Sequence, residues 1–358
     1  MPLPEDHPYY KPEDGFATDP NAPRGNERWG ARSRAEKEGE HFDLDRALEG
    51  LGGALEVPPG HRSGYVNIVG RPNVGKSTLL NALVDERMSI ITAKPQTTRH
   101  RILALVSGPD FQAVFSDTPG LVEEPGYEMQ RRMNASVASA FDDADVVLFV
   151  VVPQEDYPDD HPLMRRLSQL RDAEVIVVVN KADTVERAEA ERVAEAYRER
   201  LGASRAVAIS ALRREGTEEL RRDVLAGLPE GPAYYPKDQL SDRPERFFVT
   251  EILRERILEH YRQEIPYAVE PVVERFERGT TSQGKPIARI AVVIYVERDS
   301  QKNILIGSGG RDLKAVGRAA RERLEAFLGS KVFLETRVKV RAGWRDDEKQ
   351  LRRFGYQE

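Results

Sequence analysis

The chain has no cysteine among its 358 residues. That excludes disulfide frameworks, thiolate metal sites and cysteine nucleophiles, and it leaves the redox compartment unconstrained. It also lacks a long apolar run: the longest, residues 146–152, is strand-sized and far short of the roughly 18 residues that a membrane helix needs. No basic stretch followed by an apolar one opens the sequence, so no secretory leader is expected and a cytoplasmic location is. A large net charge is missing too. The formal charge is −6, but residues 1–63 hold thirteen acids against eight bases, so the rest of the chain is close to neutral. Overall acidity therefore does not exclude a nucleic-acid partner, which depends on where bases cluster.

What is present bounds the architecture. The length suits two or more domains, and a charged fraction of 32% suits a soluble protein with a heavily ionised surface. Residues 1–63 carry eight prolines and no sustained period beyond the patch 42–55, so a disordered or weakly ordered N-terminal extension is expected. It reads either as a solubilising tail or, through Tyr9, Tyr10 and Trp29, as a docking segment. From 64 to 228 the pattern alternates strand-sized apolar runs (65–69, 102–106, 112–115, 146–152, 175–179 and 206–209) with amphipathic helices. One of these, 127–141, places Met129, Met133, Val137 and Phe141 on one face. Strands without polar alternation, each followed by a helix, predict an α/β domain with a mostly parallel sheet and helices on both faces. Ligands of such sheets bind beyond the carboxyl ends of the strands.

The loops at those ends carry the chemistry. Gly70-Arg71-Pro72-Asn73-Val74-Gly75-Lys76-Ser77 lies between an apolar run and the helix-forming 78–83, the setting of a phosphate-binding loop. Its glycines let the backbone curl so that the N–H groups from Asn73, Val74, Gly75, Lys76, Ser77 and Thr78 face phosphate oxygens at a helix N-terminus. Lys76 reaches the β- and γ-phosphates, and Ser77 offers its hydroxyl to Mg²⁺. Asp117-Thr118-Pro119-Gly120 follows a strand, so Asp117 can hold Mg²⁺ through water while the Gly120 amide approaches the γ-phosphate. In Asn180-Lys181-Ala182-Asp183 a carboxylate can accept from guanine N1–H and its 2-amino group, donors that adenine lacks. Lys181 lays its stem over the ring, Asn180 ties this loop to the phosphate loop, and Ser210-Ala211-Leu212 completes the base pocket. The segment Lys94-Pro95-Gln96-Thr97-Thr98-Arg99-His100 supplies a threonine that senses the γ-phosphate and Mg²⁺. The pattern leaves Thr97 and Thr98 both open, and Thr98 is assigned to the metal and to catalysis with Lys76 and Asn73.

A second pattern follows a proline-rich linker at 229–245. Residues 246–342 read helix, strand, strand, helix, helix, strand, with Gly307-Ser308-Gly309-Gly310 between the two adjacent helices. That is the order of a type II KH domain and its GxxG loop, where phosphates of a single strand lie against the main chain. Residues 300–341 hold ten Lys/Arg against four Asp/Glu, a local surplus absent from the whole-chain charge. Arg311, Lys314 and Arg318 are the expected phosphate contacts. The last residues, 343–358, form a C-terminal tail in which Trp344 either stacks on a base or packs on the domain.

The motifs GRPNVGKS, QTTRH, DTPG, NKAD and SAL, in this order, resemble those of the translation-factor class of P-loop GTPases, and the KPQTTRHRI stretch is most similar to the Era family. The resemblance implies GTP hydrolysis with Mg²⁺, binding of the 3′ end of 16S rRNA through the KH domain, and a role in 30S subunit assembly. It also implies a monomer with a tendency to peripheral membrane association. Leu121 stands where Ras-like GTPases carry a water-orienting glutamine. In related GTPases an asparagine at the position of Asn73 helps to bind K⁺, so K⁺ is expected to supply part of the missing help. A second reading keeps the nucleotide switch but gives it a protein or a membrane surface as its main target.

Overall fold

The structure is a computed structural model. It describes residues 59–356 apart from 93 and 95, so the expectations for residues 1–58 lie outside the described residues. The apolar run near 150 shows how the first domain is built. It forms β4 (Val146–Val151), in which every residue is buried. Because side chains alternate along a strand, Val146, Leu148 and Val150 join one core and Val147, Phe149 and Val151 the other. A strand covered on both faces has no use for polar alternation, and this one has none.

Around it lie β1 (Arg62–Val69), β2 (Ile102–Ser107), β3 (Phe111–Asp117), β5 (Glu174–Val179) and β6 (Arg205–Ala208). The sheet order is β2-β3-β1-β4-β5-β6, parallel throughout except for the antiparallel β2–β3 hairpin. Five helices connect the strands: α1 (Lys76–Val84), α2 (Glu128–Ser139), α3 (Pro162–Gln169), α4 (Arg187–Leu201) and α5 (Thr217–Gly227). Leu79, Leu83, Leu220 and Val224 cover one face, and Val137, Leu163, Ala190 and Ala194 the other. The strand order reverses at β1, whose neighbours are β3 and β4. The phosphate-binding loop thus opens at the crevice where open parallel sheets place ligands.

The second domain runs α6 (Glu245–His260), β7 (Glu270–Thr280), β8 (Pro286–Val296), α7 (Asp299–Ile306), α8 (Arg311–Leu328) and β9 (Lys331–Val340). β7 pairs antiparallel and β9 parallel with the central β8. That is the expected helix and strand order. One face of this sheet holds the core: Ala288, Ile290, Val292, Ile294 and Val296 meet Val316, Ala320, Leu324 and Leu328, which recur every fourth residue of α8.

Three boundaries differ from the sequence reading. The extension drawn to residue 63 is too long, because the Arg62 amide bonds Asp110 O at 2.9 Å and that of Ser63 bonds Pro229 O at 3.0 Å. Polar side chains there hide a paired backbone. The span 229–245 is not a bare linker: the Leu105 amide donates to Leu240 O at 2.9 Å and Ser241 Oγ to Leu103 O at 2.6 Å, which covers the exposed edge of β2. The C-terminal segment is not a tail either. It forms α9 (Glu348–Arg353), and Trp344, 0% exposed, packs with Met129, Met133, Leu351 and Tyr356. Of the two uses open to Trp344, packing is the one observed, since a fully buried indole has no face free for a base. Replacing it leaves a large cavity between the two domains. Trp344→Ala should therefore lower unfolding free energy by about 3–5 kcal/mol, read from chemical denaturation of the full chain.

Candidate nucleotide site and nucleic-acid interface

Residues 70–77 join β1 to α1, as their spacing predicts. Gly75 has φ 97°, and a Cβ there would overlap Asn180 Nδ2, so only glycine lets the two loops meet. Asn73 also has a left-handed backbone, φ 66°, which asparagine tolerates better than most residues. Lys76 Nζ donates to the carbonyls of Gly70 (3.0 Å) and Arg71 (2.9 Å), which holds it over the loop. Burial pushes its ammonium down to about 8, opposed by the carboxylates of Asp117 and Glu155. A phosphate in the loop would favour the charged form.

Ser77, Thr98 and Asp117 come from three segments and meet at one point. Ser77 Oγ lies 2.7 Å from Asp117 Oδ2 and 2.8 Å from Thr98 Oγ1, and Thr98 Oγ1 lies 3.3 Å from the same carboxylate oxygen. The other oxygen, Asp117 Oδ1, is buried without a hydrogen-bond partner. Burial raises the Asp117 pKa, against the Ser77 hydroxyl, the Lys76 charge and the nearby Ser89 and Thr98 hydroxyls. An orphaned carboxylate oxygen beside two hydroxyls is a set of hard oxygen donors, and it fits Mg²⁺. Of the two threonines only Thr98 lies at this point: Thr97 Oγ1 bonds Lys94 O and Thr92 Oγ1, both at 2.6 Å, and closes a local turn instead.

The base side is tied to the phosphate side through one amide. Asn180 Nδ2 donates to Val74 O at 2.8 Å, while its Oδ1 accepts from the Ala211 amide at 3.0 Å, so three loops hang on Asn180. Lys181, at φ 58°, reaches across to Asn73 O at 2.7 Å. Asp183 Oδ2 lies 3.4 Å from Arg213 Nε. Ser210 exchanges two backbone bonds of 3.0 Å with Glu215, which rounds off the turn that carries Ala211 and Leu212. Thr78 lies in the first turn of α1. Leu121 is partly buried against the core cluster that includes β4 Phe149 and offers no polar group.

In the second domain Gly307 to Gly310 link α7 to α8. Gly307 (φ 71°) would carry a Cβ into the Asp312 carboxylate, and Gly310 has φ 80°. Ser308 and Gly309 lie exposed between them, and Arg311, Lys314 and Arg318 are exposed along the start of α8. Ile304, 49% exposed one turn before the loop, adds an apolar surface there.

Sequence reasoning gave Arg99 no role of its own and left Trp344 open between stacking and packing, yet Arg99 and the residues after 343 join the domains. Their partners lie far away in the chain, and no local spacing announces them. Among the described residues no helix is long and apolar enough to cross a membrane.

The comparisons agree with this geometry. A model of the 50S ribosome-binding GTPase family matches residues 65–181, and a KH domain model matches residues 264–345. The chain is 42% identical over 304 residues to GTPase Era of Carboxydothermus hydrogenoformans, a match covering 83% of this chain and 99% of that one. It is likewise 42% identical over 298 residues to a chloroplastic ERA-like GTPase of Oryza sativa subsp. japonica, covering 83% and 70%. A solved structure of Era in complex with MgGDPNP and nucleotides 1506–1542 of 16S ribosomal RNA is similar with TM-score 0.76 and 34% identity, covering 83% of this chain and 100% of that one. An Aquifex aeolicus Era variant bound to GDP and AlF₄⁻ is similar at TM-score 0.75, with the same identity and coverage. Phosphate loop, base loop, GxxG loop and matches over 83% of the chain all point one way: the chain belongs to the Era family of GTPases.

Proposed function

We propose that the chain is a GTP-driven switch that binds the single-stranded 3′ end of 16S rRNA and acts in assembly of the 30S subunit. The observation that carries the reading is the meeting of Ser77, Thr98 and Asp117 around an unpartnered carboxylate oxygen, on a chain that also presents a GxxG loop. Ser77, Thr98 and Asp117 would hold Mg²⁺, directly or through water. The ion supplies charge neutralisation on the β- and γ-phosphate oxygens when bound. Lys76 and the amides of residues 73–78 grip the phosphates, which positions them without covalent chemistry. Asp183 reads guanine, and Asn180 keeps the base loop in register with the phosphate loop through Val74 and Ala211. GTP and GDP differ only at the γ-phosphate side, so Thr98 is the group whose contacts distinguish them.

On the RNA side the glycine backbone of 307–310 lets phosphates approach, Arg311, Lys314 and Arg318 neutralise them, and Ile304 offers a surface for bases. The relatives named for Era and the Era structure with a 16S rRNA fragment support that choice of RNA. A protein or membrane target for the switch remains an outcome of the test below.

Three measurements check this reading. Asp183→Asn removes one acceptor for guanine and adds a donor, so GTP affinity should fall on the order of 10²-fold while xanthosine triphosphate gains; nucleotide titration reads both. Turnover should be faster in K⁺ than in equimolar Na⁺, and Asn73→Ala should abolish that difference; equal rates in the two salts remove Asn73 from the mechanism. The double change Gly307→Asp with Gly310→Asp should eliminate binding of a 16S 3′-end oligonucleotide while GTP affinity stays unchanged. Retained RNA binding would point instead to a KH domain that serves a protein or vesicle surface.

A further inference from the structure

Arg99 follows Thr98 directly, but its side chain leaves the first domain. The guanidinium, 1% exposed, donates to Val269 O (2.7 Å), Pro266 O (3.0 Å), Tyr267 O (3.2 Å) and Glu270 Oε2 (3.0 Å). The carbonyl between these, Ala268 O, accepts from Trp344 Nε1 at 3.3 Å. Four successive carbonyls at the entry to β7 are thus taken by two side chains. Glu270 Oε2 also accepts from Tyr356 Oη at 2.9 Å, and the Tyr356 ring lies 4.4 Å from that of His100. At the other end of the same segment, Lys94 Nζ donates to the carbonyls of Leu258 and Tyr261. Between these two anchors sits Thr98, with its hydroxyl against Ser77 and Asp117.

We propose that Arg99 is a positioning residue for the nucleotide site, one that uses the KH domain as the fixed frame holding Thr98 over the metal position. The inference rests on Thr98 being the γ-phosphate sensor. Consecutive Cα atoms are about 3.8 Å apart, so Thr98 cannot move far from Ser77 while Arg99 keeps its four acceptors. Release of Arg99 strands buried carbonyls and the Glu270 carboxylate, so the segment stays docked or leaves as a unit. The two terminal nitrogens of the planar fork reach these acceptors, while Nε is buried without a partner; a single lysine ammonium has no such spread. The second domain therefore completes the triphosphate site, and affinity for GTP depends on residues that touch no nucleotide.

The test compares equilibrium affinities of the full chain for a non-hydrolysable GTP analogue and for GDP, with Mg²⁺ present. Arg99→Gln should lose about tenfold in analogue affinity and keep GDP affinity within about twofold. Thr98→Ala should show the same selectivity, and the double variant should lose no more than Thr98→Ala alone. Arg99→Lys should rescue little. Equal losses for both nucleotides, an unchanged analogue affinity, or additive losses in the double variant would overturn the inference. Absence of a selective loss in Thr98→Ala identifies a different failure, that of the sensor assignment beneath it, and overturns the inference as well. If Arg99→Gln does not fold, Lys94→Ala tests the other anchor and should show a smaller selective loss; no selectivity there overturns the frame.

Discussion

The carboxylate of Asp117 is the constraint on which the nucleotide site depends. It sits at the end of β3, buried, with one oxygen shared by two hydroxyls and the other without a partner. An unpaired buried carboxylate oxygen is costly. A divalent cation bound at that point would reverse the sign of the local electrostatics. The sheet explains why the aspartate is there at all: β3 pairs residue for residue with β1, and Ile68 faces Asp117 just before the phosphate loop begins. Strand register thus fixes the distance between the phosphate grip and the metal donors.

The same register argument shows what could be read from the sequence. The phosphate loop, Asp117, the base loop at 180–183 and the GxxG loop were all legible, because each couples a backbone requirement to a chemical one within a few residues. Gly75 must approach Asn180, and Gly307 must clear Asp312. The unbroken apolar run of β4 was legible as a strand buried on both faces, and the stripe Met129, Met133 and Val137 of α2 as a period of four. The two threonines could not be told apart, since both carry the right hydroxyl; only the turn that Thr97 makes with Lys94 and Thr92 separates them. Trp344 was ambiguous for a related reason, as an indole suits a core as well as a base. Least visible were pairings across the chain, such as Leu240 on the β2 edge, whose backbone bonds leave no mark in the side-chain pattern.

Coupling between the two functions has a physical basis in the domain junction. Met129 and Glu128, at the start of α2, give their amides to Arg345 O and Asp346 Oδ1, and Arg132 reaches Tyr356 O. α2 follows the Asp117 loop, as the Arg99 segment precedes it. Both segments that flank Asp117 in the chain are therefore bonded to the second domain or to the segment after it. A ligand shifts an equilibrium only by its differential affinity for the two states. Under the proposed role of Thr98, the differential contact and the domain contact of Arg99 would lie on adjacent residues.

A buried arginine of this kind is a poor way to gain stability. Taking a guanidinium and a carboxylate out of water costs several kcal/mol per ion, and a well-packed apolar pair at such a position is often as stable or more so. The junction has apolar alternatives at hand, as the Trp344, Met129 and Met133 cluster demonstrates a short way off. What the polar arrangement gives is a single allowed geometry: four acceptors on one fork tolerate no sliding, whereas an apolar contact tolerates shifts of an ångström or more. A switch needs that property. Under the proposed switch, the contacts of Arg99, Glu270 and Tyr356 would be made or broken together.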